Sequence, residues 1–126
     1  MPITATYDPT HQIETIILTT PYTFKEWRST MDQILAARPG PASFLVDRRD
    51  AGVPSTALID EIVSYFRLNA DRLAGSTAAV VVGEEAAYGM ARMLGIRAEV
   101  ALVKLTMKIF LEYDDAVEWL KSIKKP

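Results

Sequence analysis

The sequence contains no cysteine, a single histidine and no long hydrophobic run. Without cysteine the chain can form no disulfide, no cysteine-ligated zinc site, no iron–sulfur cluster and no cysteine nucleophile. None of its apolar runs approaches the roughly 20 residues that a membrane-spanning helix needs. The opening segment, MPITATYDPT, also lacks the charged and apolar regions of a signal peptide. We therefore expect a cytoplasmic protein without a transmembrane segment.

An excess of positive charge is also missing from the chain. The 14 lysine and arginine residues face 16 aspartate and glutamate residues, the formal net charge is −2, and the basic residues form no long run. This pattern argues against binding to nucleic acid through general electrostatic attraction. With 126 residues, of which 49% are hydrophobic, the chain is long enough to bury a core, and we predict one domain covering residues 1–126.

The usual signatures of catalysis and nucleotide binding are absent too. The one histidine, His11, lies in a predicted turn, and no serine–histidine–acid signature accompanies it. There is no Walker motif and no G-x-G-x-x-G, and the segment Gly83–Gly89 carries two carboxylates where a phosphate would bind. We therefore predict no catalytic residues, no metal site and no cofactor, and we rank an enzymatic function lowest.

Hydrophobic periodicity predicts strands that alternate with helices. Turn-forming residues between the first two strands indicate a hairpin, and Thr23 with Glu26 forms the pattern of a helix capping box. Two short apolar runs, Phe44–Val46 and Ala78–Val82, are typical of parallel strands that are buried on both faces. The predicted strands are 3–7, 12–19, 44–46, 78–82 and 106–110, and the predicted helices are 24–38, 56–73, one from Glu84 or Glu85, and one from Asp114 or Asp115.

The resulting order β β α β α β α β α predicts the α/β fold class. Strands joined by helical crossovers run parallel, and the first hairpin adds an antiparallel edge. We expect a mixed, mostly parallel sheet of about five strands with an N-terminal hairpin, covered by four helices. The segment Ile96–Val103 fits both the end of a helix and the start of a strand.

Four consecutive charged residues, Asp47, Arg48, Arg49 and Asp50, follow the first buried run. In open α/β sheets ligands bind outside the carboxyl ends of the strands, which makes this segment a candidate binding loop. The loop after Val82 should open on the same edge, so that either arginine could meet the carboxylates at positions 84 and 85 or an anionic ligand. The alternative is a solvated loop whose ion pairs are each worth about 1 kcal/mol or less.

Ser55 and Thr56 continue this candidate binding or regulatory loop and precede the apolar stripe of the next helix. Either hydroxyl would cap that helix, which is worth about 1 kcal/mol. A phosphate at the same place would be stabilised by the free backbone N–H groups of the first helical turn. The residues therefore leave two interpretations open, a helix cap and a phosphorylation site.

Four further side chains fall outside the main apolar stripes of their helices. They are Tyr65 and Leu68 on one helix and Tyr88 and Met93 on the next. Together they would form an exposed apolar patch, which often marks a contact with a protein partner, a lipid or a second copy of the chain. The alternative is that a helix packed on a curved sheet buries a wider arc than its main stripe.

Several of these stretches together resemble the STAS-like proteins, the fold of bacterial anti-sigma-factor antagonists. The resemblance rests on the element order, on the strand FLVD leading to Ser55–Thr56 at a helix start, and on the ending MKIFLEYDDAVEWL. A small stand-alone branch of this superfamily shows a similar AAYGMAR helix, here Ala86–Arg92, and a similar terminal pattern, here Phe110, Ala116, Trp119 and Leu120. Because the resemblance covers essentially the whole chain, it implies a single STAS-like domain.

The resemblance also carries expectations about function. In the antagonists the corresponding loop reads roughly D-S-S-G and a partner kinase phosphorylates its serine, which implies Ser55 as the phosphoacceptor. This chain departs from the pattern, with Val53–Pro54 before the serine and Ala57 in place of the glycine. The fold is similar as well to the lipid-binding CRAL-TRIO domain.

We therefore expect, first, a non-enzymatic binding or regulatory module that recognises a protein partner or a small ligand through the charged loop and the adjoining helix. The second expectation is an apolar-ligand or lipid-binding protein, or one that associates with a membrane. An exposed sheet edge or helix face would also permit a homodimer.

Overall fold

The computed structural model of the protein describes residues 2–123. Its strands are β1 (Ile3–Asp8), β2 (Ile13–Thr19), β3 (Ser43–Asp50), β4 (Ser76–Val81) and β5 (Leu105–Phe110). Its helices are α1 (Phe24–Ala37), α2 (Thr56–Leu68), the short α3 (Ala70–Leu73), α4 (Glu85–Val100) and α5 (Tyr113–Ile123).

The five strands form one mixed sheet in the order β1-β2-β3-β4-β5. β1 pairs with β2 in an antiparallel hairpin, and every other neighbouring pair is parallel. The hairpin turn is closed by Asp8, whose Oδ1 accepts a hydrogen bond of 2.9 Å from the backbone N–H of Thr10. This is the α/β fold with an N-terminal hairpin that the sequence predicts.

The connections place three helices on one face of the sheet. Each parallel strand lies next to its predecessor, and right-handed crossovers that all advance in the same direction leave their helices on the same side. α1, α2 and α4 accordingly share one core cluster with the side chains of that face. At its centre Trp27 of α1 packs edge-to-face on Tyr65 of α2, with 5.1 Å between the ring centroids.

α5 alone covers the other face. It follows the last strand without a crossover and packs Ala116 and Leu120, both fully buried, over Leu45, Ala79 and Val81. The ring of Trp119 lies beside it, tilted against the ring of Phe110 with 5.8 Å between the centroids. On the same face of β2, Ile13 is buried in the α5 cluster, whereas Ile17 is 43% exposed.

Helix α1 begins where its sequence pattern predicts. Thr23 Oγ1 accepts from the backbone N–H of Glu26 at 3.1 Å, and Glu26 Oε1 accepts from the backbone N–H of Thr23 at 2.9 Å. The two bonds satisfy N–H groups that have no partner within the helix. The capping box is confirmed.

Two elements differ from the sequence prediction, and a third boundary, which the sequence left open, is resolved. β3 continues to Asp50, because Asp50 still pairs with Thr19 of β2, so the charged segment belongs to the strand. The helix predicted over 56–73 divides at Asn69, whose side-chain amide donates to the carbonyl of Tyr65 at 3.0 Å. α4 ends at Val100, and Leu102 follows with a positive φ of 63°, which resolves the ambiguous segment as a helix end.

Candidate functional site

The charged segment divides between the two faces of the sheet. Successive side chains of a strand point to opposite sides, so Asp47 and Arg49 face α5 while Arg48 faces the three-helix side. The expected single binding loop is therefore two separate groups of charges. Asp50, at the end of the strand, is exposed.

Asp47 and Arg49 form a bidentate ion pair on the α5 face. Arg49 donates from Nε to Oδ1 at 2.9 Å and from Nη2 to Oδ2 at 2.7 Å, and its backbone N–H donates to Oδ1 at 3.1 Å. The guanidinium also lies 4.9 Å from the ring centroid of Tyr113. These hydrogen bonds from Arg49 hold the pKa of the Asp47 carboxyl below its usual value. The charge of Arg49 is therefore paired with Asp47 of the same strand.

Arg48 has a different environment. The residue is only 7% exposed, and its Nη1 donates to the hydroxyl of Tyr22, whose ring centroid lies 5.8 Å from the guanidinium carbon. Its Nε is buried and has no hydrogen-bond partner within residues 2–123. Within the same described residues, none of the ion pairs involves Arg48. A buried guanidinium without a carboxylate is an unusual arrangement, because burying an unpaired charge is costly.

The expectation that Arg48 or Arg49 meets Glu84 or Glu85 is wrong, since Arg49 pairs with Asp47 and Arg48 contacts Tyr22. The expectation that both loops open on the same edge is correct. A Cβ added at Gly83 would lie 2.7 Å from the carbonyl oxygen of Arg49, so the turn after β4 touches the end of β3 and requires glycine.

Arg48 lines a small cavity between the sheet and the three helices. The cavity has a volume of about 70 Å³, and Arg48 is the only charged side chain among the described residues around it. Phe44 and Val46 precede it on the same face of β3, and Pro54, just before α2, lines the cavity as well. The remaining lining is apolar, including Trp27, Met31, Ile59, Phe66, Ala91, Leu94 and Met107.

Ser55 and Thr56 lie at the start of α2. Ser55 is the N-cap, and its Oγ accepts from the backbone N–H of Leu58 at 3.1 Å. Thr56 is the first helical residue, and both side chains are exposed. The capping role of Ser55 is confirmed, and its role as a phosphoacceptor stays a prediction.

The four residues of the predicted apolar patch do not share one exposed surface. Tyr65 is 4% exposed, and its hydroxyl donates a hydrogen bond of 2.7 Å to Asp32. Burial is the larger cause and this hydrogen bond the smaller cause of the raised pKa of Tyr65. Leu68 is 86% exposed near the end of α2. Tyr88 and Met93 are half-buried on α4. The expectation of surface exposure is wrong for Tyr65, because α2 buries a wider arc than its main stripe.

The opposite edge of the sheet carries an ion pair with a buried carboxylate, which sequence analysis missed. Glu14 of β2 is 2% exposed, and Arg38, at the end of α1, donates from Nη2 to its Oε1 at 2.7 Å. The guanidinium lies 4.0 Å from the ring centroid of Tyr7. A polar groove of about 450 Å³ runs beside these residues. Glu14 lies on the same face of β2 as Ile16 and Leu18. A carboxylate among these apolar residues was the signal that could have located the pair.

The lone histidine lies in the turn between β1 and β2. His11 Nδ1 lies 2.8 Å from Asp8 Oδ2 in the exposed hairpin turn, and this hydrogen bond lowers the pKa of Asp8. Residues 2–123 contain no cluster of three or more side chains suited to hold a metal ion. Over the same part of the chain, every helix is too short or too polar to cross a bilayer.

No protein-family model matches the chain, and a search of curated proteins finds no significant match. The STAS-like relationship therefore remains a prediction from the residues quoted above.

Proposed function

We propose that the protein is a non-enzymatic binding module of STAS-like type that takes up a small, largely apolar ligand between its sheet and its three-helix layer. The observation that carries this proposal is the 70 Å³ cavity with apolar walls and one buried cation. Ligand sites in proteins are mostly apolar with a few polar groups that fix orientation, and this cavity has that character.

The site lies where the fold favours ligands. Arg48 and Pro54 line the cavity near the carboxyl ends of the strands, the edge at which open α/β sheets bind small molecules. Among the described residues, the lining contains no nucleophile and no general base, since a guanidinium stays protonated and the other lining side chains are apolar. Binding, not catalysis, is the function that this chemistry supports.

Xenon is the probe that tests uptake, because it fills small apolar cavities without requiring polar contacts. The measurement is the xenon-dependent shift of methyl resonances in the folded protein. Shifts confined to lining residues such as Ile59 and Leu94 would support the proposal. Ala91→Leu, which adds three carbons to a 4% exposed lining position, should abolish them. Absence of shifts in the wild type, or equal shifts in the variant, would overturn it.

A regulatory role of the adjoining segment is the second candidate. The exposure of Ser55 and Thr56 at the start of α2 makes both hydroxyls reachable by a kinase or a protein partner. Intact mass measurement of the protein purified from its own host tests this candidate. A phosphate localised to Ser55 would support it, and an unmodified Ser55 would leave the residue as a helix cap.

A further inference from the structure

The cavity is apolar on nearly every side, yet within residues 2–123 the one charged group in its lining is a cation that pairs with no carboxylate. A buried charge is normally paired, as the buried carboxylate of Glu14 at the opposite edge of the sheet is paired with Arg38. Arg48 has only a phenol as its partner, and its buried Nε has none within residues 2–123. The folded protein thus carries a desolvated positive charge that nothing else in the described chain neutralises.

Resting on the proposed function, we infer that the ligand is a short-chain monocarboxylate, whose carboxylate is bound by Arg48 and whose hydrocarbon part fills the apolar cavity. A carboxylate supplies two acceptor oxygens to the planar guanidinium, whose Nε has no hydrogen-bond partner within residues 2–123.

A monoanion fits this site better than a dianion does. One guanidinium in an otherwise apolar lining neutralises one negative charge, and a second negative charge would be buried without a partner. The positive end of α2 lies at the same end of the cavity, because Pro54 lines it and Ser55 caps the helix. This partial charge adds to the attraction for one carboxylate.

The size of the cavity limits the hydrocarbon part. An engineered cavity of about 150 Å³ holds a benzene ring of six carbons. By that measure, the 70 Å³ available here holds an apolar body of about three carbons. The hydrocarbon part of butyrate has this size, and the flexible side chains of Met31 and Met107 in the lining allow small adjustments of shape.

Isothermal titration with butyrate and with 1-butanol tests the inference, because the two share the hydrocarbon part and differ in charge. We expect the wild type to bind butyrate roughly tenfold to a hundredfold more tightly than 1-butanol, as for a hydrogen bond to a charged group. Arg48→Met should remove this preference and bind both probes with similar affinity. Arg49→Met, which removes the next arginine of the same strand on the other face, should keep the preference of the wild type.

The inference and the proposed function fail in different ways. If xenon enters the cavity but butyrate binds no better than 1-butanol, the carboxylate assignment is overturned and the apolar site stands. Butyrate affinity that survives Arg48→Met would also overturn the assignment. If neither xenon nor butyrate binds, the proposed function itself is overturned. Far-ultraviolet circular dichroism of each variant shows that loss of binding is not loss of folding.

Discussion

Arg48 and Arg49 are consecutive residues of β3, and their environments are opposite. Arg49 reaches solvent and closes a bidentate pair with Asp47, two residues earlier on the same face. Arg48 faces the three-helix layer, is 7% exposed and has no carboxylate partner within residues 2–123. Arg49 is paired with a carboxylate of its own strand. Arg48 has no carboxylate partner within the described residues.

The contrast extends to the two faces of the sheet. On the α5 face, Leu45, Ala79 and Val81 are packed beneath one helix, and Arg49 is paired with Asp47. On the other face, three helices enclose a core that retains a cavity with Arg48 in its wall. Close packing with paired charges serves stability, whereas a cavity with an unpaired charge is a departure that binding would explain.

Truncation of one core residue on each face of the sheet is expected to give the largest change in the free energy of unfolding. Leu120→Ala on α5 and Ile59→Ala on α2 each remove a fully buried aliphatic side chain. Each should lower the free energy of unfolding by about 2–5 kcal/mol, from lost burial and the space left behind. Urea unfolding of both variants measures this loss.

The two truncations should differ in binding. Ile59 lines the cavity and Leu120 does not, so only Ile59→Ala should change the affinity for xenon. Leu102→Ala is the matched stability control, because Leu102 is 85% exposed and its truncation should cost little. Equal changes of xenon affinity in the two core variants would remove the distinction between the faces.

Replacing each arginine by methionine should shift stability in opposite directions. Arg48→Met exchanges a buried unpaired cation for an apolar side chain of similar length and should raise the free energy of unfolding by about 1 kcal/mol or more. Arg49→Met leaves the largely buried Asp47 carboxylate without its partner and should lower it by about 1–2 kcal/mol. Chemical denaturation at neutral pH measures both. Destabilisation of similar size in the two variants would contradict the comparison.

The pH dependence of the stability of Arg49→Met provides the control. Because Arg49 lowers the pKa of Asp47 in the folded protein, the stability from this pair is present above the unfolded-state pKa of about 3.9. It is lost as the pH falls through the lower folded-state pKa. The difference between wild type and Arg49→Met should therefore narrow below about pH 4. A difference that stays constant down to the acid-unfolding limit would show that the pair is not its source.

The smallest change in stability is expected from substitutions at the start of α2. Ser55→Ala removes the oxygen that accepts from the N–H of Leu58 and should cost about 1 kcal/mol. Thr56→Ala, at the next and equally exposed position, should change stability by less than about 0.5 kcal/mol. Thermal unfolding of the two variants compares them directly. Equal losses would show that the capping bond does not hold this helix end.

Local patterns were enough to predict most of the fold. The capping box of Thr23 and Glu26, the turn at Asp8 and the alternation of strands with helices all depend on residues close in sequence. Such interactions can be read from spacing alone, because helix caps and turns involve neighbours two to four residues apart. The end of β3 could not be read in this way, since it depends on pairing with Thr19 of β2.

The sequence was sufficient to predict only part of the candidate site. The four charges after Val46 marked the correct edge of the sheet, and Ser55 was recognised as a helix cap. The sequence pattern does not separate the environments of Arg48 and Arg49, because it predicts a loop for this segment. Once Asp47–Asp50 is a strand, the two-residue alternation of side chains places Arg48 on one face and Arg49 on the other.

Local sequence patterns are sufficient to predict the fold class, the order of the elements and the position of the charged segment. The burial of Arg48, the burial of Tyr65 and the cavity beside Arg48 follow only from the packing of the three-helix core. The physical reason is that burial and pairing depend on side chains from α1, α2 and α4 that are far apart in the chain. Their meeting is fixed by packing, not by any local pattern.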